Sequence, residues 1–344
     1  MKFGIVGFGI FAEKRLVPGF GDSIGKIAAI SKRDLSAAKK KASIHEIPFY
    51  YDNVEKLLEN NDVEAVFVAT PNKYHYDHVI SAARHGKHVI CEKPMAMNVQ
   101  ECLEMAEACH DYNVKFMVAQ CLRYANSTVK IKEIIESGKL GEIKIIKAHY
   151  GFRAIKSDRK WIFSREFAGG GPIFDIGVHV IDLIRYLTSN HKLLSFKGTS
   201  QNFNTQKHPD RDVECSGQLI MKFEDGIHAE VSCSFNTPYL TSLEIIGTEG
   251  FLETKYFTLV NRDAKIYLFS EKDLGESKEI INVNNGDFYK EEIDDFIRYV
   301  QDDQFKPGFP GLKEGILNQI IINNWNVGLG RDQIDEMLEN VGGA

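Results

Sequence analysis

Over the first third of the chain the apolar residues fall in short unbroken runs, at 2–7, 26–30, 65–70, 88–91 and 115–119, with a shorter one near 49–51. Runs without polar alternation are strands buried on both faces, as in a parallel sheet. Between them the spacing predicts helices over 35–44, 53–60, 76–85 and 99–112. Strand and helix thus alternate through residue 122, the pattern of a doubly wound α/β sheet. Right-handed crossovers then line up the loops at 7–12, 31–33, 70–75, 91–94 and 119–124 along one sheet edge.

After residue 124 the texture changes. A helix (128–136) leads into strand-like runs at 143–150, 194–199, 215–223, 227–235, 242–247, 251–253 and 264–269, mostly without helices between them. Glu224-Asp225-Gly226 is a hairpin turn signal. Such runs indicate an open, mostly antiparallel sheet with helices on one face, an α+β domain. Helices close the chain at about 288–302, 312–328 and 332–340. A length of 344 residues also exceeds what one core usually serves, so two domains are expected, 1–122 and 123–344.

Composition narrows the function classes. A net charge of −6 gives no reason to expect nucleic acid or an anionic membrane as partner. No apolar run approaches membrane-spanning length, and the first eleven residues read as a strand rather than a signal peptide. The six cysteines show no CxxC pair and no zinc-type spacing, so reduced thiols, a cytoplasmic location and no metal are expected.

Four stretches carry chemistry. Gly7-Phe8-Gly9-Ile10-Phe11-Ala12 follows the first strand in the GxGxxA form of the dinucleotide fingerprint. There Gly7 serves the turn, Gly9 the approach of backbone to pyrophosphate, and Ala12 the close helix packing. At the second strand's end, where an acid would hold the ribose 2′-hydroxyl of NAD, stand Ser31, Lys32 and Arg33. A hydroxyl and two cations suit a 2′-phosphate, so NADP is preferred and NAD remains possible. Lys93, between Glu92 and Pro94 at another strand end, is placed to stabilise an alkoxide-like oxygen. A glycine run and proline then feed a helix on which Asp175 and His179 stand four apart, on one face, as a candidate proton-transfer pair.

These motifs, GFGIFA at 7–12, ATPNKYH at 69–75, EKP at 92–94, QCLRY at 120–124 and GGGPIFDIGVHVID at 169–182, together resemble the glucose–fructose oxidoreductase, inositol dehydrogenase and rhizopine-catabolism (Gfo/Idh/MocA) family. The resemblance implies a Rossmann domain followed by an α+β domain whose open sheet forms a homodimer or homotetramer contact. It implies hydride transfer between a nicotinamide and a hydroxyl-bearing carbon of a sugar, cyclitol or polyol. Lys93, Asp175 and His179 match the family's catalytic residues. Gly7, Phe8, Gly9, Ile10, Phe11, Thr70, Pro71, Asn72, His75, Glu92, Lys93, Gln120 and Arg123 match its cofactor site, with Trp161 closing the pocket. Arg153 and Lys156 are candidates for substrate contact, and Cys121 departs from the polar residue many members carry. Specificity is expected in 152–165 and 200–212, which hold Arg159, His208, Asp210 and Arg211. The alternatives are a redox-neutral sugar-modifying enzyme with tightly held NAD and a non-catalytic NAD(P)-binding sensor.

Overall fold

The computed structural model describes residues 1–189, 191–204, 206–270 and 278–339. Position 340, the predicted end of the last helix, and Thr205 in the expected specificity loop lie outside the described residues. The chain parts into two compact units, one of Met1–Cys121 with Tyr289–Gln319, the other of Leu122–Phe288 with 320–339.

The first unit is built on six parallel strands, β1 (Lys2–Val6), β2 (Lys26–Ser31), β3 (Phe49–Tyr51), β4 (Ala65–Val68), β5 (His88–Glu92) and β6 (Phe116–Ala119). They lie in the order β3-β2-β1-β4-β5-β6, the dinucleotide-binding arrangement with its crevice where the order reverses. Phe3, Ile5, Ile30, Ala65, Phe67, Ile90 and Met117 are wholly buried in one core. That burial explains why these strands read as unbroken apolar runs.

The helix Phe288–Asp302 lies in that core too, and this corrects the expected domain assignment. Its Ile293, Phe296 and Ile297 are fully buried with the residues of β1, and the Phe296 ring lies 6.1 Å from that of Phe3. Asp294 accepts a 2.9 Å hydrogen bond from the Ile24 amide. An amphipathic stripe announces that a helix face will be covered, but carries no information about which sheet covers it.

The second unit holds nine strands: β7 (Ile143–Arg153), β8 (Leu193–Asn202), β9 (Glu214–Phe223), β10 (His228–Ser234), β11 (Asn236–Gly247), β12 (Gly250–Lys255), β13 (Asp263–Ser270), β14 (Lys278–Asn284) and β15 (Leu329–Gly330). Their order is β14-β13-β12-β11-β7-β10-β9-β8-β15. Pairing is antiparallel except between β7 and β10, which run parallel. In β9 the buried Leu219, Met221 and Phe223 alternate with exposed positions, as in a sheet covered on one face. The turn between β9 and β10 has Asp225 and Gly226 at φ of 58° and 75°, the left-handed pair that such a hairpin needs.

One helical stretch, Arg165–Leu187, does have the length and apolar composition of a membrane span, contrary to the sequence expectation. Most of its apolar window, 83%, is buried inside the protein, so it is the core helix of this unit.

Candidate active-site residues

In the first unit the loop after β1 is shaped for close approach. Gly7 has φ of +86°, and a Cβ there would meet Thr70 Cγ2 at 2.5 Å and the Ala69 carbonyl oxygen at 3.1 Å. Only glycine satisfies both conditions. A Cβ on Gly9 would meet nothing closer than 3.8 Å, which leaves its outer side open, and Ala12 is wholly buried. The following turn, Ala12–Leu16, is wound one residue wider than an α-helix, and the Val17 amide donates to the Ala12 carbonyl. Pro18 lacks the N–H an α-helix would direct at residue 14, which accounts for the wider turn. The Phe8 side chain belongs to the core, so Phe8 can offer a ligand only its backbone. Phe11 packs edge-on against Tyr289 at 5.7 Å, and Ile10 is exposed.

At the end of β2, Ser31 is buried and its Oγ accepts from the Gly7 amide at 3.4 Å. The Lys32 ammonium donates to the Phe8 carbonyl at 3.5 Å, and Arg33 is exposed. The first acid after the strand, Asp34, caps the helix Leu35–Ile44, accepting from the Ala37 amide at 3.0 Å. Its carboxylate is therefore already engaged by backbone.

In the 70–75 loop Asn72 is buried, and Pro71 precedes a single tight turn, Asn72–Tyr74. His75, expected to face cofactor, is fully buried instead. Its Nδ1 lies 2.9 Å from the Pro94 carbonyl oxygen and its Nε2 2.9 Å from that of Thr70. Burial pulls its pKa down from 6.5 to about 4. Both ring nitrogens are thus turned to protein carbonyls. Lys93 is half-buried after β5, its amide donates to Glu92 Oε2 at 3.2 Å, and the Lys93–Pro94 peptide is cis. The same loop is held from below by the late segment of this unit: the Ala96 amide donates to Gln319 Oε1 at 3.4 Å. Gly315 also lies so close that a Cβ would meet Met95 Sδ at 2.8 Å. Gln120 is buried at the carboxyl end of β6, and its Nε2 has no hydrogen-bond partner among the described residues. A buried amide donor of this kind is open to an acceptor such as a ligand or water. Cys121 beside it is buried, and burial raises its thiol well above the usual range.

The carboxylate and imidazole lie in the second unit. Gly171 sits against β9: its amide donates to Glu214 Oε1 at 2.8 Å, and a Cβ would meet the Glu214 carbonyl oxygen at 2.1 Å. The chain then enters Ile173–Gly177, wound wider than an α-helix, before the regular helix Val178–Leu187. Asp175 is therefore on the wide turn and His179 on the helix proper, a departure from the uniform helix expected. Wide turns of this type recur at functional sites. Asp175 is buried, and Arg159 donates two hydrogen bonds to it, at 2.8 and 2.9 Å. His179 is half-buried, with its ring stacked on Tyr150 at 6.1 Å. Tyr150 in turn meets Tyr239 edge-on at 6.3 Å.

Other expected residues are engaged elsewhere. Arg123, expected in the cofactor wall, is buried with its guanidinium spent on Asp182 through bonds of 2.7 and 2.6 Å, and it lies 5.3 Å from the Tyr186 ring centre. Arg211 is clamped between Phe163 and Phe203, 4.7 and 4.9 Å from their ring centres. Trp161 is half-buried on the turn Lys160–Phe163, while Arg153 and Lys156 are exposed. Arg159, bonded to Asp175, and Glu214, bonded to the Gly171 amide, are neighbours of the candidate pair that no motif pointed to.

Residues 1–120 match the Gfo/Idh/MocA model described as an oxidoreductase family with an NAD-binding Rossmann fold, and residues 128–253 match the GFO/IDH/MocA C-terminal domain. The chain belongs to this family. As a Gfo/Idh/MocA member it is an NAD(P)-dependent oxidoreductase. It is 28% identical over 303 residues to D-xylose 1-dehydrogenase (NADP(+)) 2 of Haloferax volcanii, covering 88% of this chain and 89% of that protein. It is 26% identical over 258 residues to trans-1,2-dihydrobenzene-1,2-diol dehydrogenase of Bos taurus, covering 74% and 73%. Its fold superposes on aldose-aldose oxidoreductase from Caulobacter crescentus with a TM-score of 0.85 at 22% identity, over 96% of this chain and 99% of that one. The open cradle at Gly7 and Gly9 and the buried Gln120 amide fit the family's dinucleotide.

Proposed function

We propose that this Gfo/Idh/MocA protein is an NADP-preferring dehydrogenase or reductase of a sugar, cyclitol or polyol. The observation that carries the cofactor preference is at the end of β2: Asp34, the nearest acid, is committed to a helix cap, leaving Lys32 and the exposed Arg33 to meet a 2′-phosphate. The xylose dehydrogenase relative, named for NADP(+), supports the same preference and the substrate class.

When bound, the nicotinamide accepts or returns the hydride; the protein's residues orient the substrate and move the proton. Lys93 stabilises the oxygen that becomes alkoxide-like as its carbon gives up hydride. His179 takes the hydroxyl proton, the part a partly exposed imidazole can play as general base. Asp175 orients rather than exchanges protons, since its carboxylate already accepts two hydrogen bonds from Arg159. Trp161 and Arg153 contact substrate in this scheme, and the exposed Ile220 and Ile280 of the nine-stranded sheet support a homodimer or homotetramer contact there. The six free buried thiols support a cytoplasmic location. A panel of aldoses, polyols and inositols with each of NAD and NADP, followed at the nicotinamide absorbance band, tests the proposal. Turnover of one such substrate with a lower KM for NADP is expected; no turnover of any member with either cofactor overturns it.

A further inference from the structure

The scheme above gives no part to His75, whose ring reaches no solvent. It bridges two loops of that unit. On one side is Thr70, whose methyl group occupies the space a Cβ on Gly7 would need, and whose Oγ1 lies 3.2 Å from His78 Nδ1. On the other is Pro94, joined directly to Lys93. We propose that His75 is a positioning residue for Lys93, its Nδ1–H holding the Pro94 carbonyl and so the backbone from which the lysine projects.

The choice of nitrogen follows from burial. A neutral imidazole has one N–H, so only one of the two 2.9 Å contacts is a hydrogen bond at a time. Pro94 is buried and its contact with His75 lies wholly in the interior, whereas Thr70 is half-buried and its contact is partly exposed. A carbonyl deprived of its donor costs more where water cannot replace it. The proton therefore sits on Nδ1. Burial keeps the ring neutral, with a pKa of about 4, so a second proton does not satisfy Thr70 at working pH.

The inference rests on the reading that Lys93 acts on substrate, and the experiment separates the two. Asparagine places its amide N–H near the Nδ1 position and glutamine near Nε2, so H75N retains the bond to Pro94 and H75Q the bond to Thr70. With the best substrate from the panel, kcat should fall only a few-fold in H75N and about ten- to hundredfold in H75Q, the scale of a small misplacement. The KM for NADP should stay near wild type in both, and matched melting temperatures would separate this from general loosening. Nitrogen NMR of the His75 ring in the intact protein should show a protonated Nδ1 and a bare Nε2. Equal kcat losses in the two variants, the reverse order, or a proton on Nε2 overturn the role of His75. Full turnover in K93A overturns the reading beneath it instead.

Discussion

Removing the guanidinium of Arg123 takes a two-pronged cationic partner from the Asp182 carboxylate where water does not reach, for the two side chains are 6% and 2% exposed. Two charge-assisted hydrogen bonds and a ring contact with Tyr186 go with it. Breaking one partner of a buried pair costs about 3–5 kcal/mol, mostly as the uncompensated charge left behind. For a unit of this size each kcal/mol moves the melting temperature by roughly 2–4 °C. R123M should therefore melt roughly 6–20 °C below wild type by circular dichroism. The double variant R123M/D182L, which leaves no charge behind, should recover part of that loss. The family resemblance placed Arg123 beside the cofactor, and the two roles give opposite results. An unchanged melting temperature with weakened NADP binding would refute the structural role.

K93A and H179A should each lower kcat by about 10²–10⁴-fold, with NADP affinity from fluorescence quenching within about threefold of wild type. R33A should lower kcat/KM with NADP by about tenfold while leaving NAD unaffected, the modest size reflecting an exposed cation. The remaining prediction concerns acid. His75 is held near 4 in the folded chain against an ordinary 6.5, so the unfolded chain takes up this proton first as pH falls. The stabilisation is whole above about 6.5 and drains away between 6.5 and 4, amounting to on the order of 3 kcal/mol. Urea melts across that range should therefore fall less steeply for H75N than for wild type; parallel slopes would remove His75 as the source.

Much of the first unit was legible because its strands are buried on both faces, and a run such as Ala65–Val68 has no other use. The turns were legible where conformation demands one residue, as at Gly7 and Asp225-Gly226. Pairings across long separations were not. Arg123 and Asp182 are 59 residues apart, and nothing in either neighbourhood distinguishes a paired guanidinium from one meant for a ligand. The parallel pairing of β7 and β10 escaped because alternation gives a strand's faces and not its direction. Arg159 was noticed only as one cation among several, since the wide turn that presents Asp175 to it leaves no mark on the apolar spacing. His75 sat in a recognisable motif, but burial gave it a different task from the one the motif suggested.

The return of Tyr289–Gln319 to the first unit bears on how the protein is made. On a ribosome adding about 5–20 residues each second, the six strands of the first sheet emerge roughly 10–30 s before the helix that supplies Phe296 and Ile297 to their core. During that interval the apolar surface around Phe3 is left uncovered, while the strands of the other unit, whose pairings are mostly between near neighbours, can already form. A grafted cofactor-binding half from a relative would likewise need two separate inserts, and a fragment ending at residue 122 would be a sheet without its last layer.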